Sequence, residues 1–285
     1  MNISSPAIVE RRVLQLVSPH SRTPEDEKTV RNLAAAIQML LPGETARPHR
    51  HSMNALRFVL EGSGAETIVN GKVCPMEVGD LILTPGWCWH EHRHRGDGPM
   101  IWLDALDVPL HLGLGTSEFE PGPIHDLPVT LPDATFAVAN ILPHTGGAAA
   151  PHSPVFRYPY ADAAAAVTVA PRGRDGARRV NYVNPTNGGA AMALMDCQLV
   201  QLEPGEPTLP FRSNGNAICT VVEGDGTSVI GDTTLSWRPR DILTLPQGNW
   251  IAHRSERGAR LFITSDREVL VRLGLLKEEY RNRVR

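Results

Sequence analysis

Two stretches of this 285-residue chain carry the same punctuation roughly 160 residues apart, and that duplication constrains the fold more than any other feature. Leu41-Pro-Gly-Glu44 recurs as Glu203-Pro-Gly-Glu206, and Glu61-Gly-Ser-Gly64 recurs as Glu223-Gly-Asp-Gly226. Gly79-Asp-Leu-Ile-Leu-Thr-Pro85 returns as Arg240-Asp-Ile-Leu-Thr-Leu-Pro246. In the first copy, from Leu56 to about Val108, Val/Ile/Leu-rich runs alternate with Gly, Asn-Gly and Pro turns, and Asn70-Gly71 is a hairpin signal. Short strands closed by turn residues at this spacing build a small all-β barrel, and the repeat implies a second one.

The first copy contains chemistry that the second lacks. In an extended strand, side chains at i and i+2 share a face, so His49 and His51 project together into a barrel while Arg50 points away. His90 follows the apolar run Leu81-Ile-Leu-Thr84 and the Pro85-Gly86 turn, which bring it in on another strand. Three imidazoles on a largely apolar wall need partners, and one metal ion satisfies all three. The repeat offset places Phe211, Ser213 and Ile251 opposite His49, His51 and His90, so the second barrel is expected to hold no metal. His253 aligns with His92 and reads as a structural or interface histidine. Cys88, two residues before His90, reads as a small buried hydrophobe rather than a ligand.

The spacing of Gly43, His49, His51, Gly62, Gly79, Pro85 and His90 resembles the two motifs of the cupin family, with one departure: Ala55 stands at the usual glutamate position. Longer stretches are similar to the gentisate 1,2-dioxygenase group, which includes salicylate and 1-hydroxy-2-naphthoate dioxygenases. They are Ala36 to Glu44, His49 to Gly62, Cys74 to Pro85, Ile101 to Leu110, Ser153 to Pro159 and Tyr182 to Gly189, so the resemblance spans most of residues 8 to 276. It implies an all-β bicupin, two jelly-roll barrels with short flanking helices. It also implies Fe(2+) on His49, His51 and His90, with an extradiol-type cleavage of a 2-hydroxybenzoate by O2 between the carboxyl- and hydroxyl-bearing ring carbons. From gentisate the product would be maleylpyruvate; salicylate, substituted salicylates and 1-hydroxy-2-naphthoate stay open as substrates. A non-catalytic metal-binding cupin stays open as the rival class.

Without the glutamate the ligand set is neutral, so the bound ion keeps its full charge and favours an anionic chelate. Three histidines on one face leave open positions, a geometry used by non-haem iron oxygenases. Arg57 shares strand parity with His51, and a buried guanidinium needs an anion. A substrate carboxylate or an internal acid would serve, and the family's substrate-contacting arginine at this position implies the substrate. His92 faces the same pocket as His90 and matches a family position that contacts substrate, with proton transfer or hydrogen bonding as its role. Gln38 and Arg12 match further substrate-binding positions, and Ala34 stands where the family usually has Trp, which implies a wider ring pocket. Trp87 and Trp89 either line the pocket mouth or pack the barrel.

A net charge of -3 gives no basic excess for nucleic acid, and no apolar run approaches the length that spans a bilayer. The start lacks the basic and hydrophobic regions of a secretion signal, so a cytoplasmic enzyme is expected. Cys74, Cys88, Cys197 and Cys219 show no paired spacing. The expected division is an N-terminal helical segment over 1–32, the metal-bearing barrel over 33–120, a linker over 121–180, the degenerate barrel over 181–266 and a C-terminal helix over 267–285. Helical spacing predicts helices over Pro6 to Val17, from Thr23, over Tyr160 to Val169, and over Arg267 to Tyr280 with a break near Gly274. Propensity alone would run the helix from Thr23 through Ala34 to Ile37, but the resemblance makes Leu33 to Leu41 a strand. Family resemblance also implies a homotetramer.

Overall fold

The computed structural model describes residues 12–19, 28–122, 126–138, 141–144 and 150–281. They form two compact units, the first built on Leu33–Tyr160 with Val183–Ala193, the second on Ala161–Tyr182 and Leu194–Arg285. The stretch 121–180 is therefore shared between the units, and the second unit also takes in Val30–Asn32.

The first unit contains β1 (Arg12–Leu16), β2 (Ala34–Leu40), β3 (Thr45–His51), β4 (Ala55–Glu61), β5 (Ala65–Val69), β6 (Lys72–Met76), β7 (Leu81–Thr84), β8 (His90–His94) and β9 (Met100–Leu106). Helix α1 (Val108–Leu114), β10 (Phe119–Pro121) and β11 (Arg157–Tyr158) follow. One sheet has the order β1-β2-β9-β4-β7-β11 and the other β10-β3-β8-β5-β6. The hairpin expected at Asn70-Gly71 joins β5 to β6, with Val69 opposite Lys72. Both turn residues have positive φ, 46° and 83°, as a two-residue hairpin that follows the strand twist requires. Leu56, Phe58, Ile68, Leu81, Ile82 and Trp102 are fully buried and form much of this unit's core.

The second unit contains most of helix α2 (Tyr160–Val169), then β12 (Arg178–Asn181), β13 (Asp196–Leu202), β14 (Phe211–Ser213), β15 (Ala217–Glu223), β16 (Gly226–Ile230), β17 (Thr233–Trp237), β18 (Ile242–Leu245), β19 (Ile251–Arg254), β20 (Ala259–Ser265), α3 (Arg267–Arg272) and β21 (Glu278–Tyr280). Its sheets run β12-β13-β20-β15-β18 and β17-β16-β19-β14-β21. A side-chain clamp repeats with the strands. Asn54 gives its backbone N–H and side-chain amide to Asp107 at 2.8 Å each, and Asn216 does the same to Asp266 at 2.6 and 2.9 Å. Each clamp ties the start of one strand to the residue that precedes a helix, and leaves a buried carboxylate satisfied.

Two helices expected from apolar spacing are corrected. Arg12–Leu16 is a strand, paired antiparallel with β2 from Arg12↔Met39 to Leu16↔Ala35; the rest of the Pro6 to Val17 expectation, and the start at Thr23, lie outside the described residues. Over so few residues helical and alternating spacing are hard to separate, and the edge of β2 that does not pair with β9 supplies the hydrogen-bond ladder that decides. At the C-terminus the helix stops at Arg272, Gly274 follows with φ 68°, and Glu278–Tyr280 becomes β21 on β14. This repeats α1 and β10 of the first unit, where a short helix also returns the chain to the opposite sheet. The Tyr160 to Val169 helix forms as expected.

Burial pushes the Asp196 carboxyl up to about 6, although the Ser265 hydroxyl donates to it. Between its ordinary value near 4 and its folded value the native state binds the extra proton, so stability rises as pH falls through that window and the charge is a burden above it. Asp196→Asn is expected to raise the melting temperature by about 2–4 °C at about pH 8 and to give no gain at about pH 4, read by thermal denaturation at both.

Candidate metal centre

Strand alternation in β3 brings His49 and His51 to one face, after an irregularity in the pairing with β8 between Ala46 and His49. That register sets His49 directly opposite His90 on β8. The three ligand atoms offered by His49, His51 and His90 lie within 4.8 Å of one another, and all three residues are buried. Their ring centroids are 4.3 to 5.8 Å apart, His49–His90 being the nearest pair.

The outer nitrogen of each ring decides what the inner one does. Nδ1 of His49 lies 2.9 Å from the Arg47 carbonyl, Nδ1 of His51 2.8 Å from the Met53 carbonyl, and Nδ1 of His90 2.9 Å from the Cys88 carbonyl. A carbonyl only accepts, so each Nδ1 carries the proton and each Nε2 presents a lone pair. His90 Nε2 is buried and has no hydrogen-bond partner among the described residues. Burial, with His49, Arg57 and His51 adding to it, holds the His90 imidazole well below its ordinary pKa and therefore neutral. Three oriented nitrogen donors with backbone carbonyls behind them fit a divalent transition metal ion.

Around the triad the structure assembles a polar set. Arg57 on β4 is buried, gives Nη1 to the Thr84 hydroxyl and lies 3.4 Å from Asp104, its cross-strand neighbour on β9. Asp104 also accepts from Trp102 Nε1 at 2.9 Å. The internal acid that sequence reasoning allowed for Arg57 is thus present. His92 is buried beside this set, its Nδ1 2.9 Å from the Thr67 hydroxyl and its ring 6.2 Å from that of His90. Gln38, on β2 opposite Trp102, is buried with an Oε1 that finds no partner among the described residues. Arg12 is instead ion-paired with Glu44, which the Leu41 N–H also holds.

Trp87 and Trp89 stack on Arg50, 5.6 and 4.7 Å from its guanidinium carbon, and Arg50 pairs with Glu120. Cys88 is buried, 3.7 Å from His152 Nε2, and its thiol is pushed up to about 12 by burial, as for a structural cysteine. Thr67, Thr84, Asp104 and Phe119 were not singled out from sequence. Phe119 stacks on His49 at 5.3 Å because β10 pairs with β3. An acid inside the apolar run of β9 was a usable signal for Asp104; the others depend on pairings distant in the chain.

The second barrel shows which of these residues belong together. Phe211 on β14 faces Ile251 on β19, just as His49 faces His90. The equivalents of Arg57, Asp104, Trp102, Gln38 and Thr84 by strand register are Cys219, Ile263, Leu261, Val200 and Leu245, all within or packed against that barrel's hydrophobic core. Triad and polar set have been exchanged as one unit. Only the histidine–hydroxyl pair persists: His253 Nδ1 lies 2.7 Å from Ser228, and burial pushes His253 down to about 4.

Two barrels of cupin topology, one with a three-histidine site that could hold a metal ion and the other packed with apolar side chains, define the class: a bicupin. A cupin domain model matches residues 36–106. Gentisate 1,2 dioxygenase 1 of Aquipseudomonas alcaligenes is 37% identical over 94% of this chain and 79% of its own length. The 5-aminosalicylate 1,2-dioxygenase of Comamonas sp. is 33% identical over 95% of this chain and 74% of its own. Salicylate 1,2-dioxygenase from Pseudoaminobacter salicylatoxidans, solved with gentisate, superposes with a TM-score of 0.89 at 30% identity, covering 96% of this chain and 78% of that one. The chain belongs to the gentisate and salicylate 1,2-dioxygenase family and is a dioxygenase. That membership sets aside the non-catalytic cupin.

Proposed function

We propose that His49, His51 and His90 hold ferrous iron and that the enzyme opens the ring of a 2-hydroxybenzoate, gentisate foremost, between its carboxyl- and hydroxyl-bearing carbons. Both atoms of O2 enter the product, which from gentisate is maleylpyruvate. The observation that carries this is the pairing of three buried, oriented imidazoles, that of His90 held neutral, with one buried guanidinium, Arg57, on the same site. Iron bound there supplies a chelation point for an anionic substrate and a path for an electron between the aromatic ring and O2.

The remaining work falls to side chains. Arg57 is a buried cation beside the triad, 3.4 Å from Asp104, and a substrate carboxylate placed there takes charge-assisted hydrogen bonds from its guanidinium. His92, oriented by Thr67, holds or moves a proton at a ring hydroxyl. Gln38 Oε1 accepts from a hydroxyl of the substrate. Arg12 contributes to substrate binding only when its pair with Glu44 opens. A wider ring has one observation in its favour: on β2, Ala34 and Ala36 share the parity of Gln38 and are buried, so small side chains line that wall. Salicylates with ring substituents or a fused-ring hydroxy acid are the second reading.

Protein loaded with ferrous iron without oxygen, then mixed with air-saturated buffer, is expected to consume O2 with gentisate at a turnover within roughly 1–10³ s⁻¹. Faster turnover of salicylate or 1-hydroxy-2-naphthoate would move the assignment to the second reading. No uptake with any of the three would overturn the proposal.

No helix among the described residues is long and apolar enough to cross a membrane. A cytoplasmic homotetramer remains the reading carried by the resemblance.

A further inference from the structure

Lys72 and Cys74 have no part in the reaction proposed above, yet both are almost fully buried on the same face of β6. Lysine is rarely so buried, because its ammonium loses its hydration. Here Nζ has Asp133 at 3.3 Å and the Cys74 sulfur at 3.9 Å. The carboxylate is shared: Arg157 holds Asp133 at 2.7 Å, and also pairs with Asp80 at 2.8 Å and Glu77 at 3.2 Å. The lysine thus has the weaker hold on the acid and a thiol beside it. Burial pushes that thiol up to about 12, so it is not a ready nucleophile, and chemistry at the pair requires an oxidant. The second barrel has Thr233 and Leu235 in these places, both exposed, so the pair is peculiar to the barrel with the metal centre.

We propose that Lys72 and Cys74 form an oxidative modification site, in which O2 joins the lysine nitrogen to the cysteine sulfur through a single oxygen atom. The Lys72 ammonium first gives a proton to Asp133 and on to solvent; the resulting amine, the thiol and one O2 then give the N–O–S bridge and one water. The nitrogen and sulfur together lose four electrons and O2 gains them; one N–H, the S–H and the O–O bond break, N–O and O–S bonds form, and the two hydrogens leave in the water with the second oxygen. O2 is the co-substrate of this enzyme family, so the oxidant is one the protein meets. The bridge removes the charge of Lys72 and with it the ion pair to Asp133, which anchors the segment whose Leu131 carbonyl accepts from Val73 N–H. Two equivalents of a dithiol reductant, each oxidised to its disulfide, supply the four electrons and four protons that return the amine and the thiol, and the bridging oxygen leaves as water.

The test is the intact mass of the full-length protein, kept without metal so that turnover plays no part, before and after exposure to air. The bridged chain is expected to be about 14 Da heavier than the reduced chain, from one oxygen gained and two hydrogens lost. Dithiothreitol reverses the shift, and trypsin cuts after Lys72 only in the reduced sample. Cys74→Ala should abolish the shift. Should that variant fail to fold, the wild-type peptide spanning Phe58 to Arg93 decides, because the bridge keeps it in one piece. A mass about 16 Da higher with cleavage after Lys72 intact, about 2 Da lower as for a direct N–S bond, or no change would each overturn the proposal.

Discussion

His51→Ala is expected to yield folded protein with no bound iron and no oxygen uptake. The residue provides one of three donors, and with two imidazoles left the affinity for iron falls by at least about 100-fold, since losing even the partners behind a ligand costs 10–100-fold. The protein scaffold has little at stake. His51 Nδ1 makes its hydrogen bond to the Met53 carbonyl, worth about 1 kcal/mol net, so the melting temperature of metal-free protein moves by a few degrees at most. Metal analysis after dialysis, set beside thermal denaturation of the same sample, checks both halves. Iron bound one per chain in the variant would mean that the centre lies elsewhere.

Arg57→Ala should separate in the opposite way: iron stays and substrate binding goes. Loss of a charge-assisted contact of about 1.5–3 kcal/mol raises KM for a 2-hydroxybenzoate roughly 10- to 100-fold. The Asp104 pair adds a second effect, because a buried carboxylate stripped of its partner costs about 3–5 kcal/mol of stability. Arg57→Lys distinguishes the two. It restores a positive charge for Asp104, and with it much of the stability, but it lacks the planar fork that grips a carboxylate, so KM stays high. A wild-type KM for Arg57→Lys would show that the guanidinium serves Asp104 alone.

The reach of sequence reasoning follows the range of the interactions involved. His49, His51 and His90 were legible because strand alternation is local and because Pro85-Gly86 marks where β7 ends. The residues that replace the triad in the second barrel were legible because a repeat offset needs only counting, and the pairing of Phe211 with Ile251 agrees with that offset. The strand at Arg12–Leu16 was not legible, since its conformation is set by β2, which follows it by about two dozen residues. Carrying the repeat offset past Ser265 would have exposed the strand at Glu278–Tyr280, as α1 and β10 show, but apolar spacing around Leu270 and Leu273 looks helical taken alone. Thr67 and Phe119 needed the pairings of β5 with β8 and of β10 with β3, which leave no local signature.

By itself the sequence determined that the chain is a duplicated barrel, that one copy bears three histidines on two strands, and that the other copy cannot. The physical reason is periodicity: alternation and turn chemistry act over a few residues and can be read along the chain. Tertiary structure alone decided which nitrogen each histidine presents, because the carbonyls of Arg47, Met53 and Cys88 take the Nδ1 protons. It also decided that Arg57 meets Asp104 and Thr84, and that Arg12 meets Glu44. Those contacts depend on strand register and on side-chain reach across the barrel, and only the assembled sheets set either.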